Sequence, residues 1–146
     1  MPTQLCFKFS WGEPYYTCQI LIIKTLTATW TPVTMTTVFS GYLSGASTRT
    51  ITISSSLIPQ TATEMLLYTP TFCGTGDSNR DTYLQFYTTR NGVTHYKFLY
   101  HYTWSGDYTM NSENMWLPVP DDRNLYLNVL HSSANCHIYI NVIGYR

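Results

Sequence analysis

Apolar and polar residues alternate with a period of two along most of this chain, and helical periodicity is nearly absent. The β-branched runs at 17–24 (TCQILIIK), 25–30 (TLTATW), 34–43 (TMTTVFSGYL) and 48–53 (TRTITI) read as strands, and 63–69 (TEMLLYT) follows the turn-prone SSSLIPQ. The clearest local signal is Arg90-Asn91-Gly92-Val93, flanked by DTYLQFYTT and VTHYKFLYHYT. Asn-Gly between two alternating runs predicts a hairpin closed by a type I′ turn, because both residues tolerate positive φ. A second pair of strands is expected at 124–130 (NLYLNVL) and 137–145 (HIYINVIGY), joined by HSSAN. Only GDYTMNSENMWLP (106–118) departs from the pattern, and a helical turn ended by Pro118 and Pro120 is expected there.

The last pair defines an inside. Leu125, Leu127 and Val129 share one face, as do Ile138, Ile140 and Val142, while Tyr, Asn and His occupy the opposite faces. A sheet with one apolar side buries that side against a second layer. The fold class expected is therefore all-β: an antiparallel two-sheet β-sandwich, jelly-roll-like, with about eight to ten strands in a single domain over 1–146.

The densest aromatic segment is YKFLYHYTW (96–104). Alternation places Tyr96, Phe98, Tyr100 and Tyr102 on one face and His95, Lys97, Leu99 and His101 on the other. The basic, imidazole-bearing face is expected to seek water, which sends the rings inward as core wall. A ligand platform would then remain only at Tyr102, Trp104 and the loop that follows.

Composition narrows the partners. Charged residues make up only 11% of the 146 positions and the formal net charge is zero, less than half the roughly 25% charged content of ordinary soluble domains. Hydroxyl and amide groups must do much of the solvating. Lys and Arg are scattered, so the basic patch that nucleic-acid binding requires is missing and nucleic acid is excluded as a partner. No apolar run approaches the 18 residues of a membrane-spanning helix. Residues 1–18 lack the basic stretch and long apolar core of a secretion leader. An extracellular location is expected from the neutral, hydroxyl-rich surface rather than from any address. Four cysteines, Cys6, Cys18, Cys73 and Cys136, form no CxxC and fit no zinc spacing. If oxidised, Cys6–Cys18 and Cys73–Cys136 are the pairings expected, since each can staple neighbouring elements; four buried thiols are the alternative.

Candidate chemistry is sparse. No GxSxG, HExxH, phosphate loop or GxGxxG is present. Cys136 and His137 would point to opposite faces of one strand. Asp121-Asp122 follows LPVP and precedes Arg123, which reads as a turn with a local charge partner rather than a pair of catalytic carboxylates, and Asp107 and Glu113 stand apart. His95 and His101 are six residues apart in one strand, roughly 20 Å at about 3.3 Å per residue and too far to share an ion. His131 and His137 flank a loop and could meet across it. Asp77, Asn79 and Asp81 supply the D-x-N-x-D oxygen spacing of a calcium loop, yet Thr82 and Thr88 stand where that loop wants Gly and Glu. Calcium at this site is thus a weak candidate and no other cofactor is expected.

Thirteen Tyr and four Trp accompany only three Lys and three Glu. Rings stack on sugar faces while Asn, Asp and hydroxyls bind the sugar's polar groups. The leading expectation is a non-enzymatic, lectin-like module that binds a glycan through Trp104, Tyr108, Asn111, Asn114 and Trp116. The same depletion of Lys and Glu marks surfaces that pack against copies of themselves. The alternative is therefore a homo-oligomeric structural subunit of a fibre, shell or matrix.

Overall fold

The computed structural model describes residues 29–75, 80–103, 107–131 and 133–146. Eight strands run in chain order: β1 (Thr31–Ser44), β2 (Thr48–Thr52), β3 (Glu64–Thr75), β4 (Arg80–Arg90), β5 (Val93–Thr103), β6 (Tyr108–Pro118), β7 (Asn124–Val129) and β8 (Ala134–Tyr145). They form two antiparallel four-stranded sheets, ordered β1-β8-β3-β6 and β2-β7-β4-β5, packed as a sandwich. Each connection except β4–β5 carries the chain from one sheet to the other. That strand order is the arrangement of a jelly roll, within the two-sheet sandwich expected from the alternation. Runs 17–24 and 25–30 lie, apart from Thr29 and Trp30, outside the described residues.

The exception, β4–β5, is the predicted hairpin. Asn91 and Gly92 have φ of 50° and 73°, as a type I′ turn demands, and the strands pair in unbroken register from Arg90↔Val93 to Arg80↔Thr103. The predicted inside also holds. Leu125, Leu127, Val129, Ile138, Ile140 and Val142 are all buried, joined in the core by Met65, Leu67, Leu84, Phe86, Met115 and Leu117. Burying one such side chain contributes roughly 1.5–3 kcal/mol, so this shared apolar layer is the main force holding the two sheets together. Cys73 and Cys136 sit opposite each other on β3 and β8, Cα atoms 4.1 Å apart, and form the expected disulfide. Cys6 and Cys18 lie outside the described residues.

Three expectations need correction. First, β7 and β8 do not pair with each other: β7 lies between β2 and β4, and β8 between β1 and β3. Their apolar faces meet across the sandwich instead, which satisfies the same alternation without a shared ladder. Second, 108–118 holds no helical turn. It is the edge strand β6, paired with β3 from Glu64↔Pro118 to Gly74↔Tyr108. Met115 and Leu117 supply the period-two burial, and Pro118 is tolerated because it closes an edge strand. Third, the rings of β5 face outward and Leu99 and His101 inward, while His95 and Lys97 are exposed as expected. Leu99 and His101 are 3% and 2% exposed, whereas Tyr96 and Phe98 are each 51% exposed, and Tyr100 and Tyr102 also face outward. The turn register decides this: it sets Leu99 opposite Leu84 and Phe98 opposite Gln85, so the face of β5 follows the face of β4.

A buried histidine on that strand is affordable because both ring nitrogens are satisfied. His101 Nε2 lies 2.7 Å from the Thr71 hydroxyl and Nδ1 lies 3.1 Å from the Thr109 hydroxyl. Thr71 donates its own proton to the Asn111 carbonyl, leaving the ring to donate through Nε2. His101 thus ties β5 of one sheet to β3 and β6 of the other. Burial pushes its pKa below the ordinary 6.5, against the partial support of a hydrogen bond to the Thr109 backbone.

Candidate recognition surface

The outward rings of β5 create an aromatic outer face on the β2-β7-β4-β5 sheet. Tyr83 lies opposite Tyr100, Tyr87 opposite Tyr96, and Tyr87 also opposite Tyr126 on the far side. Ring centroids are 5.2, 5.5 and 4.9 Å apart for those three pairs, and Phe98 continues the stack from Tyr96 at 6.4 Å. Such spacings lie within the favourable range for aromatic pairs. From Tyr96 to Tyr102 the rings run about 20 Å along the strand at about 3.3 Å per residue, and the two strand spacings from β5 to β7 add about 10 Å across. The rings form two neighbouring stacks, Tyr126-Tyr87-Tyr96-Phe98 and Tyr83-Tyr100.

Polar groups fix the orientation of its rings. Tyr100 donates its hydroxyl to Asp81 at 2.5 Å, and that bond, more than desolvation, pushes the phenol up to about 12. Tyr126 donates to Asp122 at 2.9 Å, which likewise raises its pKa. Burial pushes the Asp122 carboxyl upward, but hydrogen bonds from Asn124 and Tyr126 outweigh it and hold the group below its ordinary value. Between these pairs, Asn128 donates to Gln85 at 2.8 Å. The face is therefore rings bordered by amides and two carboxylates, already hydrogen-bonded among themselves. No protein-family model matches the chain, and no curated protein matches its sequence. Function has to be read from this geometry alone.

The opposite sheet carries a second, smaller apolar line. Tyr42, His137, Phe72 and Met110 are successive partners across β1, β8, β3 and β6, with Tyr42 stacked on His137 at 4.3 Å. Met110 is 70% exposed, and Tyr42 and Tyr108 are likewise open to solvent.

The residues expected to hold a ligand do not converge. Tyr108, Asn114 and Trp116 stand on the outward face of β6, eight residues apart at their extremes, or about 26 Å at strand spacing. Asn111 is occupied by the hydrogen bond its side-chain amide donates to the Tyr100 carbonyl at 2.9 Å. Trp116 is half-buried between the edge of Trp30 and the Arg146 guanidinium, 4.5 Å from its ring centre. Trp104 lies outside the described residues, as do Asp77 and Asn79 of the calcium candidate. Asp81, its third member, is engaged by Tyr100.

Other candidates also separate. Cys136 is buried in the disulfide while His137 lies on the outer face against Tyr42 and Tyr139, so the two form no nucleophile–base pair. The His131 Nδ1 accepts from the Ser133 N–H, on its own loop. Among the described residues no three His, Cys, Asp or Glu side chains gather closely enough to hold a metal ion. Asp121 and Asp122 do occupy a turn, but Arg123 makes no ion pair with either. Asp121 accepts from the Asn91 N–H at 2.6 Å, and Arg123 donates instead to the carbonyls of Ile53, Ser54 and Ile58. Sequence reasoning missed Tyr83, Tyr87 and Tyr126, whose outward parity follows from the buried Leu84, Phe86 and Leu127 beside them.

Proposed function

We propose that this protein is a non-enzymatic structural subunit that assembles with copies of itself through the aromatic outer face of β4, β5 and β7. The observation that carries the reading is the pair of outward stacks, Tyr126-Tyr87-Tyr96-Phe98 and Tyr83-Tyr100, on one face of the sheet. An exposed apolar patch of this extent is costly to leave in water and is typical of interfaces. Tyr and Phe supply contact area with few torsions to immobilise, and the scarcity of Lys and Glu leaves little charge to repel a second copy. The second apolar line on the opposite sheet gives each subunit two unlike contact faces. Unlike faces favour head-to-tail growth into rings, shells or fibres over a lone two-fold dimer. The Cys73–Cys136 disulfide fits an extracellular or otherwise oxidising setting.

A second reading rests on the same rings: the Asp81, Asp122, Gln85 and Asn128 groups that border them suit a carbohydrate stacked on the face. Two measurements distinguish these. Size-exclusion chromatography with light scattering, over a hundredfold range of concentration, is expected to show mass rising with concentration. A monomer throughout would overturn the assembly reading. A glycan array that lights up on that monomer would put carbohydrate in its place.

A further inference from the structure

Two arginines at one end of the sandwich line a pocket without a carboxylate partner of their own. Arg90, the last residue of β4, donates Nη1 to the carbonyls of Ala62, Thr63 and Val119 at 3.0, 2.9 and 3.2 Å. Arg123, in the turn before β7, donates Nε to Ile53 at 3.0 Å and Nη2 to Ser54 and Ile58 at 2.9 and 2.7 Å. Its remaining nitrogen, Nη1, is buried and has no hydrogen-bond partner. Both residues line the same pocket, of about 260 Å³, completed by Gln60, Val119, Pro120 and Asp121.

The electrostatics of this place are unbalanced. Carbonyl dipoles orient the two guanidiniums but cannot neutralise them, and the single ion pair among the described residues, Arg146 with Glu64, lies beside the Thr63 that Arg90 binds and includes neither arginine of the pocket. Asp121 supplies one negative charge to the lining and directs a carboxylate oxygen at the Asn91 N–H. Two cations against one anion leave a net positive pocket. A buried guanidinium nitrogen with an unused proton is among the costlier groups a fold can retain. The Arg123 backbone adds strain, since it holds φ at 62°, a region a non-glycine residue rarely adopts. Both costs are understandable if the side chains are held rigid for a ligand. Forked guanidinium donors match the oxygens of a compact oxyanion, and pre-fixed donors lose little freedom on binding it.

We propose that the Arg90–Arg123 pocket is a binding site for a compact oxyanion, a phosphate or carboxylate group. The site lies apart from the aromatic face and does not depend on how that face is used. Equilibrium dialysis of the whole protein against radiolabelled inorganic phosphate and, separately, acetate reads binding in any assembly state. At constant ionic strength, saturable binding of about one anion per chain is expected. Phosphate binding tighter than acetate would identify a phosphate site, and the reverse a carboxylate site. Arg90→Gln is expected to weaken binding at least tenfold. Asp121→Asn, which removes the like charge, is expected to tighten it severalfold, a response that a purely structural arginine staple would not give. Arg123→Gln also removes the hydrogen bonds that hold the carbonyls of Ile53, Ser54 and Ile58, so the decision rests on the other two variants. Binding of neither anion by the wild type, or affinities unchanged in both variants, would overturn the assignment.

Discussion

Strands β7 and β5 belong to the same sheet and follow the same alternation, yet they resolve it in opposite ways. In β7, flanked on both sides, Leu125, Leu127 and Val129 are buried and Asn124, Tyr126 and Asn128 are half-exposed. In β5, at the sheet's edge, the core receives only Leu99 and a histidine, while the larger apolar payload of Tyr96, Phe98, Tyr100 and Tyr102 faces out. A strand that served only its own core would be expected to turn its rings inward. That β5 instead uses a buried, hydrogen-bonded histidine to support an aromatic exterior suggests that the exterior has work of its own. The difference separates stability, which resides in β7, from recognition, which is assigned to β5.

Substitutions can break or sharpen that separation. The largest effect is expected from Leu127→Ala, which should cost about 2–5 kcal/mol in urea unfolding, the range for a truncated buried leucine. Phe98→Ser should stay within about 0.5 kcal/mol under conditions where the protein is monomeric, as surface changes do. Comparable losses at the two positions would abolish the contrast. A smaller effect is expected from His101. Its folded pKa is depressed, so the unfolded chain takes up the proton first. Stability is therefore fully present above the ordinary 6.5 and declines as pH falls from there toward the depressed folded value. The urea midpoint of the wild type should drop between about pH 7 and pH 5, a window set by the ordinary histidine range, while His101→Gln should lose most of that slope. Identical slopes would show that His101 does not carry the dependence. The smallest effect is on the face itself. Asp81→Asn should bring the Tyr100 phenol down from about 12 toward its ordinary 10.0, read by ultraviolet titration. No change in that titration would remove Asp81 as the group that orients the ring.

Much of the sandwich was legible because aliphatic alternation leaves little choice. Leu125, Leu127, Ile138 and Ile140 could only be core, and Asn91-Gly92 could only be a tight turn. Outside the β4–β5 hairpin, which strand paired with which was not legible, since β7 and β8 bury the same faces whether they share a ladder or oppose one another across the core. The orientation of β5 was judged from its own residues, where a lysine and two histidines outweighed four rings. The informative signal lay across the turn. Pairing through Asn91-Gly92 sets Gln85 against Phe98, and Gln85 belongs outside. The arginine pocket was illegible for another reason: Arg90 and Arg123 are 33 positions apart in the sequence, and they meet because β4 and β7 are antiparallel neighbours in one sheet, a pairing the alternation does not specify.

The central claim is that the aromatic face of β5 joins one copy to the next. Sedimentation velocity of the wild type beside a Tyr96→Asp, Phe98→Asp double variant, at equal concentrations and with circular dichroism confirming the same β fold, tests it most directly. The account predicts assemblies that grow with concentration for the wild type and a monomer for the variant. Equal sedimentation of the two folded proteins at every concentration would contradict it.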